Sequence, residues 1–313
     1  MTSHRHPDDP HGGEESCGGL DRREFLRQTG LVTMAGVAAL SCGCTPAFIE
    51  DLLRTRFTRL SPRKLDAVLR GLEADYATRY GRAVSVKATP ALDGVEFGYG
   101  LDLSRCIGCR RCVYACVHEN NQSRDPQIQW IQVLSMDRQR GISLEHADHY
   151  YDPQQVPEAD RFYIPIACQQ CRNPSCVRAC PVKATWQEPD GIVVIDYDWC
   201  IGCRCCMAAC PYGARHFNWA EPAIPTAELN PDTHYLGNRP RPKGVVEKCT
   251  FCIHHTREGR YPACVEICPV GARKFGNLLD EESEIRYLMR EKQVFVLKEE
   301  LNTRPRFYYF YAT

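Results

Sequence analysis

The chain has 313 residues, and its 39 lysines and arginines balance its 39 aspartates and glutamates, so the formal net charge is zero. That balance, with no recognition-helix pattern, excludes a nucleic-acid footprint, and the absence of any apolar window of roughly eighteen residues excludes self-insertion as a membrane span. What stands out is 20 cysteines in a chain large enough for one or two domains with an ordinary core.

Residues 1–45 open with a polar tail in which His4, His6 and His11 are too sparse for a metal site and Cys17 reads as an incidental thiol. Asp21-Arg22-Arg23-Glu24-Phe25-Leu26-Arg27 then precedes the weakly apolar stretch Gly30–Leu40, which is the layout of a twin-arginine export signal with Arg22 and Arg23 as the recognised pair. A lipoprotein acceptor wants leucine three residues upstream, whereas Leu40 lies two before Cys42, so export without lipidation is preferred. Residues 46–98 read as a helical extension. Ser61-Pro62 is a helix start, and Leu65, Val68, Leu69, Leu72 and Tyr76 form one apolar face that suits an internal brace. Residues 83–98 read as strand and turn leading to the first cysteines.

Four cysteine quartets follow. Cys106, Cys109, Cys112 and Cys116 have the spacing C-x2-C-x2-C-x3-C, and a strand is expected at Ile128–Leu134 behind them. Cys168, Cys171, Cys176 and Cys180 follow a short strand at Phe162–Ile166 and keep Pro181. Cys200, Cys203, Cys206 and Cys210, with Pro211, follow the strand Ile192–Asp196 and its Asp190-Gly191 turn. Residues 218–244, with five prolines and three asparagines, read as a surface loop. Cys249, Cys252, Cys264 and Cys268, with Pro269, make the fourth quartet; a helix at Glu282–Glu291, a strand at Val294–Leu297 and an aromatic tail at Arg306–Tyr311 complete the chain.

The run C-x2-C-x2-C-x3-C-P is that of bacterial ferredoxins, where three thiolates hold one [4Fe-4S] cube and the fourth reaches a neighbouring cube. Two cysteines three apart on a tight turn can meet adjacent corners of a cube while the backbone N–H groups between them face its sulfides. Glycine supplies such a turn, as Gly108 and Gly202 do. Structural zinc is the rival, but zinc motifs separate their two pairs by a dozen or more residues, whereas here three cysteines fall within seven positions in the first and third quartets. Arg105, Arg110, Arg111, Arg172, Arg178, Arg204 and Arg215 crowd the motifs, either to offset cluster charge or simply to solvate loops. Cys205 is left over and reads as a small buried or semi-exposed thiol. No glycine-rich dinucleotide loop and no nucleophile or acid–base constellation is apparent, so no catalytic residue is assigned.

Over residues 100–311 the chain resembles the four-cluster, ferredoxin-like electron-transfer subunits of bacterial membrane-associated respiratory oxidoreductases, down to the ending Val296-Leu297-Lys298-Glu299-Glu300-Leu301-Asn302-Thr303-Arg304-Pro305. Its export signal looks most like the uptake-hydrogenase partner and the periplasmic iron-sulfur subunit of the sulfite-reduction-associated complex. The resemblance implies an α+β fold of two interleaved bacterial-ferredoxin-like units with long loops and an N-terminal helical extension. Unit one would comprise 99–160 and 245–280, unit two 161–217, with 281–313 as a C-terminal helix, strand and tail. It implies four [4Fe-4S] clusters in crossed nesting: Cys106, Cys109, Cys112 with Cys268 (cluster A); Cys249, Cys252, Cys264 with Cys116 (cluster B); Cys168, Cys171, Cys176 with Cys210 (cluster C); Cys200, Cys203, Cys206 with Cys180 (cluster D). It further implies a subunit on the periplasmic side of the cytoplasmic membrane. Its partners would be a polytopic quinone-reactive membrane subunit, a catalytic subunit (a molybdenum enzyme in one option) or a cytochrome c, and the twin-arginine export machinery. The alternatives are a free periplasmic polyferredoxin and, remotely, a structural zinc protein.

Overall fold

The structure is a computed structural model, which describes residues 61–147 and 155–311. The export pair Arg22 and Arg23 and the first part of the 46–98 extension lie outside the described residues. The first helix, α1 (Pro62–Tyr80), starts behind Ser61 with proline in its first turn and stops at Gly81, whose φ of 62° is left-handed. Val68, Leu69 and Leu72 are half-buried against the core, and Tyr76 and Tyr80 are buried. The Tyr76 hydroxyl donates to the Pro240 carbonyl at 3.0 Å, so this face braces the molecule from within.

What α1 braces is part of the segment 218–244 read as a surface loop, and here the structure corrects the sequence. After α1 comes β1 (Ser85–Lys87), which pairs in parallel with β8 (Asp232–His234), and Thr233, His234, Leu236, Asn238, Arg239 and Arg241 are all buried. Proline and asparagine do break regular structure there. They do not keep it outside, because Asn121, Asn230 and Asn238 side chains satisfy the buried backbone, for example Asn121 Nδ2 to the carbonyls of Asn230 (3.0 Å) and Asn238 (3.1 Å).

The central sheet has four strands in the order β10 (Arg273–Asn277), β2 (Phe97–Asp102), β12 (Phe307–Phe310) and β11 (Val294–Phe295). β2 runs antiparallel to β10 and parallel to β12. The aromatic stretch near the C-terminus is therefore no tail: β12 is buried throughout, with the Phe307 ring stacked on Tyr99 at 4.4 Å. Its unbroken aromatic run suits a strand covered on both faces. The expected strand at Ile128–Leu134 forms later, as β3 (Gln132–Asp137) paired with β4 (Arg161–Ile166); Ile128, Trp130 and Ile131 are buried without joining it.

Short two-stranded ribbons carry the remaining chain: β5 (Thr185–Gln187) with β6 (Val193–Ile195), and β7 (His216–Phe217) with β9 (Val246–Glu247). Between them lie one-turn helices at the cysteine loops, namely α3 (Ser175–Arg178), α4 (Cys205–Ala208), α5 (Ile253–Thr256) and α6 (Ala263–Glu266), beside the longer α2 (Arg111–Glu119). The C-terminal helix α7 (Glu284–Glu291) packs Ile285 and Leu288 onto the sheet. This mixed content, with helices entering from cysteine turns, is α+β and ferredoxin-like. No helix among the described residues is long and apolar enough to cross a membrane.

Buried charges cross-link distant parts. Arg257, just after α5, meets Asp190 at 2.8 Å, with both side chains essentially inaccessible, and donates to the Thr89 carbonyl at 2.7 Å. Arg306 donates to the carbonyls of Gln170 and Gly191 from full burial. The fourth-quartet helix and the C-terminal strand are thereby fixed to the Asp190-Gly191 turn between the second and third quartets.

Candidate metal-cluster centres

Each quartet begins with a C-x2-C step, and in all four the residue before the second cysteine is left-handed: Gly108 (φ 71°), Gln170 (44°), Gly202 (70°) and Phe251 (55°). The turn aims backbone N–H groups at the first cysteine, as from Phe251 to Cys249 Sγ at 3.4 Å, and those of Gly108 and Gly202 likewise serve Cys106 and Cys200. Glycine is needed at two of the four for more than φ. A Cβ at Gly108 would press on the Tyr163 ring at 2.6 Å, and one at Gly202 would collide with the Gly244 carbonyl. Gln170 bears the strain through other bonds: it donates to the Cys249 carbonyl at 2.8 Å and accepts from the Val193 N–H at 2.8 Å.

The fold brings the cysteines together across long sequence separations. Cys106, Cys109, Cys112 and Cys268 line one small cavity, and Cys116, Cys249, Cys252 and Cys264 line another. Around Cys171 stand Cys168, Cys176 and Cys210, and around Cys200 stand Cys180 and Cys203, with Cys206 also close to Cys200. Adjacent groups touch through their electrostatics: Cys112 feels Cys264, Cys249 feels Cys168, and Cys206 feels Cys176. The four groups thus form a row. Cys205, expected as a buried or semi-exposed thiol, is exposed at the start of α4, with its Sγ 3.9 Å from the Cys203 carbonyl; the helix turns Cys206 inward and leaves its neighbour outside.

Burial pushes the bare thiols up, Cys106 to about 11 and Cys171 and Cys249 to about 12. At neutral pH they become thiolates only against a cation, so loading a metal group here releases protons. The surroundings fit an anionic group that accepts hydrogen bonds at sulfur. Gln122 Nε2 donates to Cys116 Sγ at 3.1 Å, Asn120 Nδ2 lies 3.6 Å from both Cys116 and Cys252 Sγ, and the Ala184 N–H reaches Cys180 Sγ at 3.2 Å. Arg215, whose Nη2 reaches Cys176 Sγ, keeps its buried Nη1 without a protein partner, as expected where inorganic sulfide would accept from it.

Two buried arginines bridge neighbouring groups. Arg273 Nη2 donates to Cys112 Sγ at 3.1 Å, while its Nη1 donates at 2.8 Å to the Tyr99 hydroxyl, which lies 3.4 Å from Cys264 Sγ. Arg215 Nη2 donates to Cys176 Sγ at 3.0 Å and its charge also acts on Cys206. Each guanidinium therefore sits between two adjacent cysteine groups. Of the seven arginines singled out from sequence, Arg215 reaches a cysteine sulfur. Arg105 pairs with Asp102 at 3.8 Å, Arg172 with Glu96 at 2.6 Å, and Arg204 lies 4.6 Å over the Trp219 ring.

Arg273 is absent from those seven, although a signal for it exists. Cys210-Pro-Tyr-Gly-Ala-Arg215 and Cys268-Pro-Val-Gly-Ala-Arg273 are the same motif, an internal repeat that places arginine five residues past the last cysteine of a quartet. A cation beside a redox centre favours its reduced, more negative form. Arg273→Gln should lower the potentials of the centres at Cys112 and Cys264 by about 60–130 mV if a charged hydrogen bond of about 1.5–3 kcal/mol is lost. A redox titration followed by electron paramagnetic resonance checks this, and unchanged potentials would refute it.

A family model described as a 4Fe-4S dicluster domain matches residues 159–240 and 238–278. The chain is 38% identical over 244 residues to the menaquinone reductase iron-sulfur cluster-binding subunit of Nitratidesulfovibrio vulgaris, covering 69% of this chain and 88% of that protein. It is 39% identical over 243 residues to the Hdr-like menaquinol oxidoreductase iron-sulfur subunit 1 of Archaeoglobus fulgidus, covering 68% and 82%. It is 37% identical over 315 residues to a selenate reductase subunit of Mesobacillus selenatarsenatis, covering 95% and 99%.

Proposed function

The chain belongs to the family of 4Fe-4S iron-sulfur subunits of multi-subunit oxidoreductases, and from that premise we propose that it is a four-cluster wire between a catalytic or cytochrome subunit and a quinone-reactive membrane subunit. Its role as an electron-transfer subunit carrying [4Fe-4S] clusters follows from the family itself. The row of four cysteine groups carries the rest of the reading. Clusters A and B would occupy unit one, formed by 99–160 and 245–280, and C and D unit two, formed by 161–217, with Cys268, Cys116, Cys210 and Cys180 as the crossing ligands.

When bound, the clusters supply one-electron transfer and nothing else. The protein does the remainder. Its C-x2-C turns fix each group of thiolates, Arg273 and Arg215 set charge between neighbours, and the core keeps water from group B, where Cys116, Cys252 and Cys264 are buried. Cys203, by contrast, is exposed, so the D end of the row is open to a redox partner. Relatives named as menaquinone and menaquinol oxidoreductase subunits support a quinone-reactive partner.

We place the chain on the periplasmic face of the cytoplasmic membrane, delivered folded by the twin-arginine machinery, on the strength of Arg22-Arg23 and the apolar stretch behind them. Cell fractionation with detergent extraction tests circuit and address together. The tagged wild-type chain is expected in the periplasm-facing membrane fraction, co-purifying with a polytopic subunit. Arg22→Lys with Arg23→Lys is expected to leave cluster-loaded protein in the cytoplasm. Periplasmic accumulation of the double variant would refute the export reading, and a wild-type chain recovered alone would point to a free carrier.

A further inference from the structure

Among the described residues outside the cysteine groups, one cluster of metal-binding side chains remains without a task. Glu119 ends α2, and His254 and His255 lie side by side on α5. Consecutive residues on a helix ordinarily diverge by about 100°. Here both rings turn to one point, T-shaped with centroids 4.6 Å apart. His254 Nε2 lies 2.7 Å and His255 Nε2 3.0 Å from the same oxygen, Glu119 Oε1, and one ligand atom from each of the three lies within 4.8 Å of the others. Both histidines are buried, at 3% and 6% exposure.

The hydrogen bonds around the cluster decide what it lacks. His255 Nδ1 lies 2.9 Å from the Tyr261 carbonyl, and a carbonyl only accepts, so Nδ1 carries the proton. The Nε2 of a neutral His255 is then a bare lone pair facing a carboxylate oxygen, which requires a positive charge between them. Asn230 Nδ2 already donates to that oxygen at 2.8 Å and to the Glu119 carbonyl at 3.1 Å, holding the carboxylate in place. His254 Nε2 meets the same oxygen at 2.7 Å, while its Nδ1 has no protein partner. The carbonyl-anchored imidazole and amide-anchored carboxylate are the outer contacts that orient metal ligands.

We propose that Glu119, His254 and His255 form a divalent-cation site of zinc type, with water as the fourth ligand, pinning α2 to α5. Two imidazoles and a carboxylate suit zinc, whose bonds of about 2.0–2.1 Å at tetrahedral angles need ligand atoms about 3.3 Å apart; the observed separations open to that by small side-chain movements. The location gives the site a purpose: Glu119 lies three residues past Cys116 and His255 three past Cys252, so the ion clamps the two segments that supply one cysteine group.

The test uses the anaerobically purified holoprotein, exchanged against a weak chelator and then given one equivalent of zinc chloride. Zinc-edge X-ray absorption separates this site from zinc lodged among cysteines, because the proposed shell holds only nitrogen and oxygen near 2.0 Å, with no sulfur near 2.3 Å. The expected result is about one bound zinc with a sulfur-free shell. His255→Gln should lower zinc affinity at least tenfold while iron content stays at the wild-type level. No retained zinc, a sulfur shell, or zinc binding unchanged in His255→Gln would each overturn the proposal, the first leaving His255 as an imidazolium paired with Glu119. Should the variant fail to fold, the wild-type spectrum alone still decides.

Discussion

Cys268→Ser is expected to abolish or shift the same paramagnetic centre as Cys106→Ser, although 162 residues separate the two cysteines. Cys264→Ser, only four positions away, should instead act on the centre perturbed by Cys116→Ser. The physical reason lies at α6: Cys264 is on this one-turn helix and Cys268 lies two residues past its end, and the two line different cavities. Serine can retain a weaker oxygen ligand, so a shifted potential is as informative as a lost signal. Removing a thiolate also removes folding energy, and the comparison therefore rests on which signal changes first in a redox titration. If both variants affected one common centre and spared that of Cys106, each quartet would hold its own cube and the crossed ligation would be wrong.

The second large effect concerns stability. Arg257→Ala strands Asp190, whose carboxylate is fully buried, and breaking one partner of a buried pair costs about 3–5 kcal/mol. Because Arg257 lies within the fourth quartet, between Cys252 and Cys264, and Asp190 lies between the second and third quartets, the loss should loosen the junction of the two halves and hasten cluster release. The rate of bleaching of the cluster absorbance in denaturant reads this directly as kinetic stability. Arg257→Ala should bleach far faster than wild type, Arg257→Ala with Asp190→Ala should recover part of the loss, and the exposed Arg290→Ala should behave as wild type. Equal rates in Arg257→Ala and wild type would show that the ion pair contributes nothing.

Much of the site was legible because cube ligation imposes spacing on the sequence. Cysteines three apart, glycine at positions 108 and 202, and proline after the last cysteine are local requirements, and local requirements leave local marks. The two left-handed turns at Gln170 and Phe251 left none; at Gln170 the strain is borne by bonds to distant residues such as Val193. Arg273 was hidden for another reason: its partner Cys112 is 161 positions away, and only the repeat of Cys-Pro-x-Gly-Ala-Arg could have revealed it.

The fold was less legible than the site. The helix from Ser61 followed from its proline and its apolar face, both local. Burial of 230–241 did not follow, because polar composition there serves internal hydrogen bonding: Arg239 and Arg241 are buried beneath Tyr235 and Trp130, with the guanidinium carbons 4.7 and 5.2 Å from the ring centroids, and Arg241 pairs with the buried Glu247. Arginine stacked on aromatic faces buries as readily as an apolar residue once its charge is matched. The aromatic C-terminus misled in the same way, since a continuous aromatic run becomes a buried strand only where a sheet awaits it. Here β2 and β11 flank it on either side.

The central claim is that four cubes occupy this one chain, and iron and acid-labile sulfide assays on anaerobically purified protein test it most directly. Four cubes require about sixteen of each per chain, with four distinct reduced signals in a potentiometric titration. Values near eight, or zinc in place of iron in the cysteine groups, would contradict it.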